Sequence, residues 1–96
     1  MDSANYIENV KHVLRKKIDV EEDLLDLYAL LVLVKAHGVT WQDVHDAWSV
    51  WRTKTDSQHK SIVPFEALSE EVQRMDKEYA DAIKETAEEL NIKNEF

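Results

Sequence analysis

The residues whose types could do chemistry are gathered in residues 41–68. All three tryptophans, two of the four histidines and the single proline fall there. At helical spacing His45, Trp48 and Arg52 share one side, with His45 and Arg52 about two turns, or ~10 Å, apart along the axis. An indole offers a stacking surface, a guanidinium fork suits a phosphate or carboxylate, and an imidazole hydrogen-bonds or titrates near neutral pH. His59 and Lys60 follow on a polar loop and would form a lip over that side. Phe65, after Pro64, brings the chain back to it. His45, Trp48, Arg52, His59, Lys60 and Phe65 are therefore the candidate ligand-binding residues. The same residues also read as packing. On that view Trp48 is core, His45 bonds a backbone carbonyl near Pro64, Pro64 and Phe65 fix the loop's return, and Arg52 pairs with a carboxylate of the last helix such as Asp76. The sequence leaves both readings open.

Other chemistries lack their residues. There is no cysteine, so no disulfide, thiol nucleophile or cysteine-based zinc site is available. A serine nucleophile would need a partnered base or a strained G-x-S-x-G turn, and neither is present. One glycine in 96 residues leaves no phosphate-cradling loop. Asp43, His45, Asp46 and His59 make a list of metal-ligand types, but on a helical wheel the two aspartates point away from His45. The expectation is a non-enzyme with no catalytic residue, no metal and no cofactor.

The elements that position the candidate residues read as helices. Tyr6, Ile7, Val10, Val13 and Leu14 recur at helical spacing, with Ser3 as cap and Lys16 and Lys17 at the end. Asp19 and Glu22 suggest a capping box for a second helix over residues 20–37, ended by Gly38. That helix is apolar on nearly every side from Leu24 to Val34, so it should be the buried axis or an oligomer contact. Thr40 caps a third helix, with Asp43 in its first turn, that fades at Thr53. Trp41, Val44, Trp48 and Trp51 form its apolar stripe; the three rings either fill the core against Leu24 to Val34, the favoured reading, or leave one exposed as a contact anchor. Val63 precedes Pro64 and is pushed towards extended geometry. Ser69 caps a last helix whose face is Val72, Met75, Tyr79, Ala82, Ile83 and Leu90. Residues 91–96 are expected to fray. The fold class is all-α: about four helices around a central apolar helix, in one domain over residues 1–96, with a short extended segment before the last helix.

Charge narrows the partners. The net charge is −8, with 20 acids and 12 Lys or Arg. Ten of those acids lie in residues 66–96, whereas residues 38–65 balance at three against three. Binding to nucleic acid or to an anionic membrane surface needs a basic footprint that is missing. The N-terminus has no signal-peptide pattern, and the most apolar run is short of the ~20 residues that span a bilayer. A cytoplasmic location is expected.

HDAWS at 45–49 and HKSIVPFEALSEEVQRMD at 59–76 carry a resemblance. The H-x-x-W pair, the V-P-F-x-x-L-S-E-E run and the acidic start of the closing helix resemble a ryanodine-receptor repeat domain over about residues 44–90. The family's Gly-Trp and Tyr-Gly insertion is absent, and Phe65 stands where that family has Tyr. Residues 1–40 have no clear counterpart. The resemblance implies a compact, mostly helical, non-catalytic module, similar to small bacterial or phage proteins, with nucleotide-derived molecules as candidate ligands. The functional expectation is a binding module for a small anionic, nucleotide-derived ligand. The alternative is a protein-interaction or homo-oligomeric assembly module. A weaker third reading is an acidic mimic of nucleic acid.

Overall fold

Each helix begins at a side chain that accepts a hydrogen bond from a free backbone amide. Asn5 accepts from Glu8, Glu21 from Asp23, Thr40 from Asp43 and Ser69 from Val72. Such caps satisfy amides that have no partner inside the helix. The structure is a computed structural model that describes residues 5–92. It contains α1 (Tyr6–Arg15), α2 (Glu22–Lys35), α3 (Trp41–Thr53) and α4 (Glu70–Glu89), with single 3-10 turns at Ala36–Gly38 and Phe65–Ala67. The fold is all-α, as the periodicity predicts. At Thr40 both halves of a capping box are formed, since Asp43 also accepts the Thr40 amide.

Two caps differ from the sequence expectation. Ser3 lies outside the described residues, and the cap seen for α1 is Asn5. Asp19 does not cap α2. Ile18 is drawn into the core, so the residues after it are spent crossing from α1 to α2, and the helix begins only at Glu22.

The helix ends also differ. Helix α2 stops at Lys35, and the left-handed residue there is Ala36, with φ 49° and ψ −123°. Gly38 closes the following turn without a positive φ. Helix α4 ends in a Schellman motif. The Ile92 amide bonds the Ala87 carbonyl at 2.8 Å, the Asn91 amide bonds Glu88, and Asn91 takes φ 58°. Ile92 packs against the core, so residues 91 and 92 are held rather than frayed. Residues 93–96 lie outside the described residues.

Helices α2 and α4 each pack against the other three. The core joins Val10 and Leu14 of α1, Leu24, Leu25, Tyr28, Ala29 and Val32 of α2, Val44 of α3, and Ala80, Ile83 and Ala87 of α4. Small residues on α4 let it lie close to its neighbours. Helix α2 is not covered on all sides. Leu30 is 53% and Val34 45% exposed, because the other helices cover only the Leu25, Tyr28, Ala29 and Val32 side. Lys11 of α1 is buried beneath Glu22 and Asp26 of α2 and forms ion pairs with both. Among the described residues no helix is long and apolar enough to cross a membrane.

Candidate functional site

The second half of the chain between α3 and α4 is fastened by side chains of both helices that reach backbone carbonyls. His45 is 3% exposed, and its Nε2 lies 2.7 Å from the Val63 carbonyl oxygen. A carbonyl only accepts, so this nitrogen donates and carries the ring proton. Gln73 donates its amide to the Phe65 and Leu68 carbonyls. Between them Pro64 is extended, at φ −53° and ψ 145°, and the backbone then tightens into the Phe65–Ala67 turn. The loop is thereby laid across α3 and α4. The expected bond from His45 to a carbonyl near Pro64 is formed, at Val63.

Under that loop lies a cavity of about 450 Å³. Helix α2 contributes Leu24 and Tyr28, α3 His45, Trp48 and Trp51, the loop His59 and Ser61, and α4 Val72, Met75, Asp76 and Tyr79. The rings are set by one another. His45 stacks on Trp48 at 5.8 Å and 21°, the His59 ring meets Trp48 edge-on at 5.2 Å, and Tyr28 lies 5.6 Å from Tyr79. Trp51 is held by a hydrogen bond from its indole nitrogen to Glu21 at 2.9 Å, the same carboxylate that caps α2. His59 Nδ1 accepts the Ser61 amide at 3.1 Å, which in the neutral ring leaves Nε2 as a donor.

Among the described residues that line the cavity Asp76 is the one carboxylate, and none is Lys or Arg. One Asp76 oxygen is buried with no hydrogen-bond partner. Burial pushes the carboxyl up to about 6, and the neighbouring His45 offsets part of that rise. Burial, reinforced by Tyr79 and Asp76, likewise holds the Tyr28 phenol above the usual range.

The structure brings together three of the six sequence-predicted residues. His45, Trp48 and His59 line the cavity. Arg52 does not. Its guanidinium lies over the Trp51 ring, 5.6 Å from the centroid, and donates to the Thr55 hydroxyl at 3.4 Å. The alternative pairing of Arg52 with Asp76 is not formed. Lys60 is exposed on the loop. Phe65 sits 6.2 Å from the His45 ring and lines a separate open depression with Val39, Thr40, Trp41, Gln42 and Lys84. All three tryptophans are half-buried and pack against the core, in line with the favoured packing reading, and none is a fully exposed anchor.

Sequence reasoning missed Asp76 and the two tyrosines as lining groups. The signal for Asp76 was present. It falls four residues after Val72 and three before Tyr79, so it interrupts the apolar face of α4 with a charge. Among the described residues no group of three or more His, Cys, Asp or Glu side chains is placed to hold a metal ion.

Comparison with proteins of described function and with solved structures finds no match. A family model matches residues 2–88. The chain belongs to the family described as domain of unknown function DUF7701.

Proposed function

We propose that the protein is a non-catalytic binding module whose ligand occupies the cavity between α2, α3 and α4. The ligand is flat and nucleotide-derived, with its heterocycle among the rings and its anionic part outside, towards Arg52 and Lys60. The observation that carries this reading is the cavity. Its volume is about 450 Å³, within the range of small-molecule sites, and it combines aromatic walls with a few convergent polar groups. Indole and phenol faces stack on a heterocycle without needing its sequence of polar atoms. Arg52 stacked on Trp51 sets a positive charge one ring away from the lining.

The non-catalytic part of the reading rests on what the lining groups do. Ser61 meets His59 through its backbone amide, not its hydroxyl, so it is not poised as a nucleophile on a base. His45 spends its donating nitrogen on Val63. The likeness of residues 44–90 to a ryanodine-receptor repeat belongs to the same proposal, as does a reducing, cytoplasmic setting for a chain without cysteine.

A thermal-shift panel of mono-, di- and cyclic nucleotides and adenosine-diphosphate-ribose derivatives tests this. Ligand at 100 times its Kd adds about 2.7 kcal/mol of stability. At least one compound should raise the melting temperature saturably. No response from any of them at millimolar concentration overturns the nucleotide assignment.

A second reading has its own observation. Leu30 and Val34 are half-exposed and one turn apart on α2, a face that suits self-assembly. Light scattering separates the two: a dimer lost in Leu30→Lys supports assembly, and a strict monomer removes it.

A further inference from the structure

We propose that Asp76 selects the ligand, and that the part entering the cavity is a planar nitrogen base with an amidine edge, meaning an amino group beside a ring nitrogen. This deepens the binding-module reading and rests on it.

The first support is the carboxyl itself. It lines the cavity, one of its oxygens is buried without a donor, and such an acceptor is satisfied only when a donor reaches it. The second is the absence of Lys and Arg among the described lining residues. Arg52 is on Trp51 and Lys60 is out on the loop. An anionic group placed inside would therefore face Asp76 with no permanent cation beside it, and only His45 to offset part of the repulsion. The third is the set of rings. The faces of Trp48, Trp51 and Tyr79 attract a positive or electron-poor planar group.

An amidine edge answers all three. Its two nitrogens match the two carboxylate oxygens in a parallel pair of hydrogen bonds, the geometry that makes bidentate pairs strong. One proton serves the pair in either form. With the base protonated, both of its nitrogens donate to the carboxylate. With the base neutral, the carboxylic acid donates to the ring nitrogen and the amino group donates to the other oxygen. A carboxyl raised towards neutrality by burial keeps both forms accessible. The groups facing Asp76 do not compete for it: His45 on α3 is tied to Val63, and no hydrogen bond joins Asp76 to Tyr28 of α2 or to His59 of the loop.

Three probes of one shape and different charge test the proposal by calorimetry: benzamidine, benzamide and benzoate. Wild-type protein should bind cationic benzamidine at least about tenfold more tightly than the other two. Asp76→Asn should abolish that preference, with its fold checked by circular dichroism, and Asp76→Glu should keep its direction. Equal or tighter binding of benzamide or benzoate overturns the amidine assignment and leaves the cavity as a binding site. Binding of none of the three overturns both. Among nucleosides, adenosine should stabilise the protein more than inosine, which lacks the amino group, and the reverse order also refutes the assignment.

Discussion

Replacing Asp76 with Asn should make the protein more stable at neutral pH while impairing the site. The folded carboxyl titrates near 6, against an ordinary value of 3.8. Between those two values the folded state holds a proton that the unfolded chain has released. Stability therefore falls as pH rises from about 4 to 6 and stays at the lower level above that window. A rise of this size corresponds to at most about 3 kcal/mol. Solvent screening at a partly exposed carboxylate reduces it to about 1–2 kcal/mol. Asn keeps the shape and never ionises, so it recovers that amount at pH 7.5 and nothing near pH 4. For a domain of this size the gain is about 5–10 °C in Tm. The assay is thermal unfolding followed by circular dichroism, for both proteins, from pH 4 to 8. Contributions from other groups are common to both proteins, so the difference curve isolates Asp76 and its interaction with His45. A destabilised Asp76→Asn at pH 7.5, or a difference independent of pH, would refute the reasoning.

Other predictions concern the frame of the site. His45→Phe removes the donor to a carbonyl on the loop and should cost about 1–3 kcal/mol; hydrogen exchange should quicken in residues 54–68 while the middle of α2 stays protected. Ala36→Gly relieves a backbone conformation that glycine adopts freely, so it should be neutral or stabilising by up to about 1 kcal/mol despite the lost methyl. By contrast, Ala29→Gly, also buried but mid-helix, should lose about 1–2 kcal/mol. Glu21→Ala removes both the cap of α2 and the partner of the Trp51 indole, and should cost about 0.5–2 kcal/mol and weaken benzamidine binding; unchanged affinity would mean that Trp51 needs no such anchor.

Much of the fold was legible because local signals agreed with one another. Thr40 with Asp43, and Ser69 with Glu70 and Glu71, marked two helix starts that the structure reproduces. The failures came where tertiary demands overrode the local signal. Ile18 in the core displaced the start of α2 past Asp19. The end of α2 is fixed by Ala36, which is fully buried, so packing and not glycine chemistry sets the turn. The apolar run Leu24 to Val34 overstated burial, because three neighbouring helices do not encircle a fourth. In the site, one helix face could be read from spacing, and it placed His45 beside Trp48. The spacing within α3 carried no information about α4, so the facing Asp76 and Tyr79 were not assigned. Helical phase also overstated Arg52, whose long side chain turns onto Trp51 rather than towards the cavity.

The three indoles offer the most direct test of the central claim that the cavity between α2, α3 and α4 is a ligand site. Trp48 and Trp51 line it, whereas Trp41 lines the separate depression beside Phe65. In nitrogen-15 correlation spectra each indole N–H gives its own signal. Titration with benzamidine and with adenosine monophosphate should move the Trp48 and Trp51 signals together and saturably, leaving Trp41 in place. Movement of Trp41 alone, or no movement of Trp48 and Trp51 at millimolar concentrations of either compound, would contradict the account.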